Sequence, residues 1–565
     1  MLRGAWGGVF LALFCLAVYG VGQGGIPAID RDESRFAQAS RQMLASPDWH
    51  GWVVPRVQDR PRLNKPPLIY WLQAGSAAVW TGRFSGTSGL QAAARDEIWM
   101  YRLPSLVSAV AAVLLAWRLG CAMFDARVGF LGGLLLATTP ALIWESHQAR
   151  ADVVLLACTT AALWGLWRVW REGRDRHGPG MGSLLLLWGG MALGVLTKGP
   201  ITPMVVGLGS LALSAATGRW RWLWRARPIA GLVGVAACVG PWVYLVAREV
   251  GFDRYAALVW DETVGRGVRA QEGHWGPPGY HLLLMPVLLG AASMLGGAGL
   301  VRAWRVGWRR AAGRWCGREP EMFLMCVVLP SWIVFELSGT KLPHYTMPLY
   351  PALALLAARG VLAGDAGRWA LAGTRVVRAL AWVWLAALSL VVLALGVGVT
   401  FAAWRAWGAA WSGAAAALWV CCGALLITLA VRFLATRRWN NAQRCGISLM
   451  AQLGVGVGFV GSNLPEIRLS EGLAQRLAEL DPPASRPLAC VGYVEDSLIF
   501  ETRGRAIRLD PEGLGPWLTE HPGGLAVIDE PTLKNTPTLS SLDSRRGFNY
   551  ARGRWVTAHI TERAP

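Results

Sequence analysis

The sequence predicts a polytopic α-helical membrane protein with a small soluble domain at its C-terminal end. Three observations predict it. Of 565 residues, 54% are hydrophobic and only 16% are charged, the balance of an integral membrane protein. Apolar runs of the ~20 residues needed to cross a bilayer recur along most of the chain. Arg and Lys collect in alternate short loops, the asymmetry that orients membrane spans.

The runs lie near 4–22, 103–122, 128–144, 152–169, 182–197, 201–217, 228–247, 280–301, 321–337, 346–363, 379–401, 409–431 and 446–462, about thirteen spans by length. The first follows Met1-Leu2-Arg3 like a signal peptide, but no small-x-small site closes it. It reads as an uncleaved transmembrane helix with a cytoplasmic N-terminus. Many of the 32 Trp residues sit at run ends, where an amphipathic ring favours the interface. The 66–82 segment is apolar too, yet a span there would invert every later loop. It is expected to lie along the interface, anchored by Tyr70, Trp71 and Trp80.

The basic loops are 168–176, 219–227, 302–318, 368–378 and 432–444, and they are expected to be cytoplasmic. The outer face then receives the 23–102 loop, the turns near 145–152, 198 and 339–345, the 248–279 loop and the tail. A net charge of +20 would suggest nucleic acid in a soluble protein. Confined to such loops it implies topology and anionic lipid contact instead. The chain divides into a membrane domain, 1–462, and a tail, 463–565. In the tail, 488–493, 497–500 and 524–529 read as buried strands between helices of a small α/β domain. Ten cysteines contain no CxxC pair, so no cysteine zinc site is visible.

Polar motifs cluster on the outer side. Asp30, Asp32 and Glu33 enter a helix; Asp32 can cap it or take a proton from a hydroxyl nucleophile. Arg35 shares a face with Asp32 and can bind phosphate bidentately. Lys65 before Pro66-Pro67 can contact a lipid phosphate or snorkel. Asp152 opens a membrane helix, as a cap or as a group orienting substrate. Lys198, Lys341 and His344 lie in outer turns, and Glu262, Arg266, Arg269 and His274 crowd another. Lys341 and His344 can touch phosphate or sugar; a lone His is also often structural. No Walker, HExxH or GxSxG motif occurs.

Asp32-Glu33-Ser34-Arg35-Phe36-Ala37, Lys65-Pro66-Pro67-Leu68-Ile69-Tyr70-Trp71-Leu72, Tyr101-Arg102-Leu103-Pro104-Ser105, Ala149-Arg150-Ala151-Asp152, Lys198-Gly199-Pro200 and Lys341-Leu342-Pro343-His344-Tyr345 occur in this order. Over about the first 360 residues, this ordered set resembles the lipid A aminoarabinose transferase and protein O-mannosyltransferase superfamily, of the GT-C glycosyltransferase class. The resemblance implies an inverting transferase of the bacterial inner membrane. It would move a sugar from a polyprenyl (undecaprenyl) phosphate carrier to a lipid A or other glycan acceptor on the periplasmic side, or to protein as in the O-mannosyltransferases.

By that resemblance Asp32 and Asp152 are the catalytic carboxylates. Lys65, Arg35 and Arg266 hold the carrier phosphate. Glu33, Lys198, Lys341 and His344 are candidates for sugar or acceptor contact. The family's Glu before Lys-Pro-Pro is Asn64 here. A neutral amide is a weaker metal ligand, so no metal is carried over and no cofactor is required. The tail resembles the periplasmic domain of aminoarabinose transferases. A flippase or transporter would instead need repeated, interrupted helices and charges at mid-membrane, and a scaffold would leave the acidic and basic set without a purpose.

Overall fold

The computed structural model describes residues 5–29, 31–265, 275–293, 295, 299–300, 303, 319–362, 375–436, 439–549 and 552–563. Asp30, Arg266, Arg269, His274 and most of the basic loops 302–318 and 368–378 lie outside them. Each apolar run carries helix wherever it is described. Continuous helix is the expected outcome, because a backbone in lipid must satisfy its hydrogen bonds within the segment. Among the described residues, eight helices are long and apolar enough to cross a membrane. The number is nine if Ala126–Ala137 and Pro140–Ser146, bent by 63°, form one span. Trp6–Gly20, Ile201–Thr217 and Tyr280–Leu289 are shorter apolar helices.

Close helix contacts bring polar ends of the spans together. Asp152–Glu172 packs along Met181–Lys198. A β-carbon on Gly165 would collide with the Leu187 backbone, and one on Gly190 with that of Ala162. Small residues at these crossings allow backbone-to-backbone approach. The consequence is local to the site: Asp152, at the start of one helix, faces Lys198, at the end of the other.

The first long loop contains two helices, Asp32–Ala45 and Leu68–Trp80, joined by a hairpin of β1 (Arg56–Val57) and β2 (Arg60–Pro61). Leu68–Trp80 has 13 residues, too few to span. Its Ile69, Tyr70 and Ala74 pack with Phe36, Ala39 and Met43, while Leu72, Val79 and Trp80 stay exposed. Trp80 fits the expected interfacial anchor. Tyr70 does not, since it is fully buried, and the Trp71 indole donates to the Trp52 carbonyl at 2.8 Å.

One buried ion pair fastens this loop to the membrane helices. Arg102 and Glu33 are wholly enclosed. The Arg102 Nε and Nη2 donate to the two Glu33 oxygens at 2.8 and 2.9 Å. Its remaining hydrogens go to the carbonyls of Gln23, Ile26 and Pro27. Glu33 also accepts from the amides of Ile29 and Ala149. A buried charge pair with its hydrogen bonds filled in this way is costly to break from one side.

The tail holds a five-stranded sheet in the order β4-β3-β5-β7-β6. Here β3 is Leu488–Val491, β4 Ala506–Arg508, β5 Leu525–Asp529, β6 Leu539–Asn549 and β7 Arg554–Arg563. The first three are parallel and β6–β7 forms an antiparallel hairpin. The expected strands at 488–493 and 524–529 are present. Residues 497–500 are helical instead, within Asp496–Glu501. Leu498, Ile499 and Phe500 are all buried, and a short apolar run buried on every side has no period to separate strand from helix.

Candidate active site

At the end of the membrane helices that carries Asp152 and Lys198 lies a cavity of about 570 Å³. Its walls are largely apolar, with Leu155, Ile201, Met204, Trp242, Val334 and Phe335 among them. Asn64, Lys65, Asp152, Lys198, Glu262 and His344 supply the polar groups. Residues more than 250 positions apart in the sequence thus share one chamber.

Asp152 sits at its polar rim. Lys198 Nζ donates to its Oδ1 at 2.5 Å, and His344 Nε2 lies 3.5 Å from the same oxygen. No side-chain capping bond runs from Ala151 or Asp152 into the helix, so this carboxylate is engaged by cations and not by its own amides. Burial, with Arg150 and Lys198 close by, pushes the His344 imidazole down to about 3, against the pull of Asp152. His344 therefore presents a neutral ring at physiological pH.

Asp32 faces the same network. Arg62 Nη2 donates to its Oδ1 at 3.1 Å, and Arg150 Nη2 lies 3.6 Å from Oδ2. The same Arg150 nitrogen is 4.0 Å from Asp152, and Arg150 Nη1 reaches Glu145 at 2.9 Å. Arg150 is thus the bridge between the two expected catalytic carboxylates. Burial alone would raise the Asp32 carboxyl; Arg150, Arg62, Lys65 and Arg35 outweigh it and hold it well below the usual carboxylate range. Asp32 is the first residue of its helix and makes no capping bond, which sets aside the cap reading. Arg31 before it turns the chain at φ 65°, a conformation that residues with a β-carbon seldom adopt.

Lys65 lies on the cavity wall, 3.3 Å from Glu262 Oε2, while the Asn64 amide is 3.3 Å from Glu262 Oε1. The Glu262 carboxylate, from the helical segment Asp261–Gly265, thus meets both Asn64 and Lys65. Among the described residues, no group of three or more His, Cys, Asp or Glu side chains could hold a metal ion.

The structure separates the other expected site residues. Lys198 and His344 line the cavity. Glu33 does not, because the Arg102 pair consumes it. Lys341 is buried and donates to the Gly276 carbonyl at 2.7 Å, so its ammonium anchors a loop. Arg35 points away to the tail, where its Nε meets Asp496 at 2.6 Å. Arg266 lies outside the described residues. Arg62, Arg150 as the bridge, and Glu262 as the partner of Lys65 were not legible in the sequence. The only available signal was the density of charge in the loops that carry them.

Fold and site together define a multi-pass membrane protein with a charged cluster beside an apolar cavity. More particularly, the chain resembles the lipid A aminoarabinose transferase and protein O-mannosyltransferase superfamily in both sequence and fold. Residues 64–245 match the family described as dolichyl-phosphate-mannose-protein mannosyltransferase. The undecaprenyl phosphate-alpha-4-amino-4-deoxy-L-arabinose arabinosyl transferase of Pseudomonas aeruginosa strain LESB58 is 30% identical over 58% of this chain and 54% of its own length. The chain thus spans little more than half of that relative. The enzyme of that name from Erwinia tasmaniensis is 25% identical over 94% of each chain. The crystal structure of ArnT from Cupriavidus metallidurans bound to undecaprenyl phosphate superposes with a TM-score of 0.73 at 19% identity, covering 98% of this chain and 97% of that one.

Proposed function

We propose that this chain is an inverting glycosyltransferase of the aminoarabinose-transferase type. It takes a sugar from undecaprenyl phosphate and passes it to lipid A or a similar envelope glycolipid at the outer face of the bacterial inner membrane. The observation that carries the reading is the pairing of an apolar cavity with an ionised carboxylate at its rim. An isoprenoid needs greasy walls, its phosphate needs cations, and the acceptor needs a proton sink. Lys65 and Lys198 supply the cations on the cavity wall beside Asp152, and Arg150 links Asp152 to Asp32, the proton sink. The names of the relatives support the same donor.

In the proposed reaction an acceptor oxygen attacks the anomeric carbon. The bond from that carbon to the carrier phosphate breaks, and its electron pair stays on the phosphate. Lys65, with Lys198 beyond it, steadies the charge that develops there. The acceptor's proton passes to Asp32. Asp152, held by Lys198 and facing neutral His344, orients the sugar. The distribution of basic loops supports placing the cavity on the outer side.

The test is transfer by the purified protein in nanodiscs, supplied with undecaprenyl-phosphate aminoarabinose and lipid A and read by mass spectrometry. Wild type should add one sugar. Asp32→Asn should bind the carrier normally and lose ~10²–10⁴-fold in kcat. Sugar-independent movement of the carrier across the bilayer, with no product on any envelope glycan, would sink the proposal in favour of a transporter.

A further inference from the structure

The end of the membrane helices remote from Asp152 carries a set of arginines that the proposed reaction does not use. Asp152–Glu172 has 21 residues, so at ~1.5 Å per residue its two ends stand roughly 30 Å apart. At the far end a cavity of about 480 Å³ lies between this helix and Ile98–Met123. Trp167, Arg168, Arg171 and Arg174 line it from one side and Ala122 from the other. We propose that this cavity holds the phosphate of an anionic phospholipid of the surrounding bilayer. The site asks nothing of the chemistry at the Asp152 end.

Three observations carry it. The first is an arginine within a membrane-spanning helix. Arg118 lies five residues before Met123, the end of its helix, or ~8 Å along the axis. It shares a face with Ala122, one turn on. Arg118 is exposed and forms no ion pair among the described residues. Its guanidinium carbon lies over the rings of Trp117 and Trp164, at 5.6 and 5.9 Å. A guanidinium on the exposed side of a span is costly unless an opposite charge meets it, and its long stem lets it reach for the phosphate layer.

The second is convergence. Trp164, Arg168 and Arg171 follow one another at four and three residues, so they share a helix face. The contact of Arg118 with Trp164 turns that face toward Arg118. Arg168 reaches Glu172 at 3.2 Å, but Glu172 also accepts from the Ser183 hydroxyl at 2.6 Å and the Gly180 amide at 3.0 Å. Arg174 is taken up by Glu319, at 2.8 Å. Arg171 is exposed, lies over Trp167 at 5.6 Å and forms no ion pair among the described residues, with Asp175 on the same lining or with any other carboxylate. Arg118 and Arg171 thus have aromatic rings beneath them and no carboxylate partner, and a phosphate oxygen completes such a set.

The third is depth. Residues 219–227 carry four arginines and no carboxylate, and they are fixed against the same helix end. Arg225 Nη1 donates to the Gly173 carbonyl at 3.0 Å, and the Trp222 indole to the Ser214 hydroxyl at 3.1 Å. Trp222 is buried, whereas Trp220 and Trp224 on either side of it are 50% and 73% exposed. Exposed indoles among arginines at the end of a span mark the headgroup level, and a basic pocket between helices at that level suits an anionic lipid headgroup. A soluble anion is the poorer occupant, because Arg118 lies within the length of the span.

Phosphatidylglycerol is the probe, with phosphatidylcholine and inorganic phosphate as comparisons. Each is titrated into full-length protein in neutral detergent, and bound lipid is counted by native mass spectrometry. Wild type should hold phosphatidylglycerol in preference to phosphatidylcholine, and an equal concentration of inorganic phosphate should not displace it. The double variant Arg118→Gln/Arg171→Gln should bind phosphatidylglycerol about tenfold or more weakly, the loss of one charge-assisted contact or more, and undecaprenyl phosphate as well as wild type. Arg171→Gln alone, at an exposed residue, serves if the double variant misfolds, and should weaken phosphatidylglycerol about threefold. Equal phosphatidylglycerol binding by these variants and wild type overturns the proposal. So does displacement by inorganic phosphate, the mark of a soluble-anion site. A matching loss of undecaprenyl phosphate affinity in the variants overturns it too, since it would give the cavity to the carrier.

Discussion

The two cavities, one among the membrane helices and one against the tail, have nearly equal volumes, about 570 and about 590 Å³, and opposite chemistry. One is cut into the membrane helices and walled by Met, Ile, Val and Trp with a few convergent charges. The other is walled by five arginines and two aspartates where the first loop meets the tail. A bilayer-buried wall can afford few charges, whereas a cavity open to water can gather them. The difference teaches that the molecule keeps a greasy place and a charged place apart, with Asn64 on the wall of both.

The comparison breaks most completely if the shared frame is removed. Glu33→Gln leaves Arg102 buried with an uncompensated charge, which typically costs ~3–5 kcal/mol. The expected result is a large drop in thermal unfolding temperature and in the folded yield from membranes, with the double variant Glu33→Gln/Arg102→Met recovering part of the loss. A Glu33→Gln protein as stable as wild type would show that the two cavities do not depend on this bolt.

A smaller effect separates the chambers. Lys65→Gln removes a charge-assisted contact worth ~1.5–3 kcal/mol, so carrier affinity should fall roughly 10- to 100-fold. Arg60→Gln, on the wall of the charged cavity, should leave that affinity unchanged. Equal losses in the two variants would mean that the cavities act as one.

The smallest expected effect is in acid. Asp32 is held well below the usual carboxylate range, so it stays ionised as pH falls and is protonated only once pH drops through that lowered value. Neutral His344, at about 3, gains no charge near pH 6.5 either. The kcat profile of wild type should therefore show no loss attributable to either group between pH 5 and 7. Arg62→Gln removes one of the cations, lifts Asp32 toward the ordinary ~3.9, and should move the acid limb up by roughly one unit. An unmoved limb would mean that Arg62 does not set the charge of Asp32.

The helical fold was legible because membrane helices announce themselves by length and apolarity. Asp152, Lys198 and His344 were legible as candidates because each sits in a short motif within an ordered set, as do Asp32 and Lys65; their meeting in space was not. The bridge was not: Arg150 meets Asp32, 118 positions before it, only after the helices between them have packed. Arg35 shows the opposite failure. Its helical spacing to Asp32 was read correctly as shared local structure, but Asp496, from a domain more than 400 residues later, claims its guanidinium. Glu33 looked as available as Asp32, and only the three-dimensional position of Arg102 tells them apart. The helix at 496–501 was missed because three buried apolar residues carry no periodicity.

The most direct test of the account is where the carrier binds. Undecaprenyl phosphate bearing a photoreactive diazirine on its isoprenoid chain, irradiated with the protein in nanodiscs, can be mapped by sequencing the crosslinked peptides. The account predicts adducts on residues 198–204, 255–263 and 334–348, the walls of the Lys65 cavity, suppressed by excess unlabelled undecaprenyl phosphate. Competable adducts confined to the apolar groove of 389–427, with none around the Lys65 cavity, would contradict it.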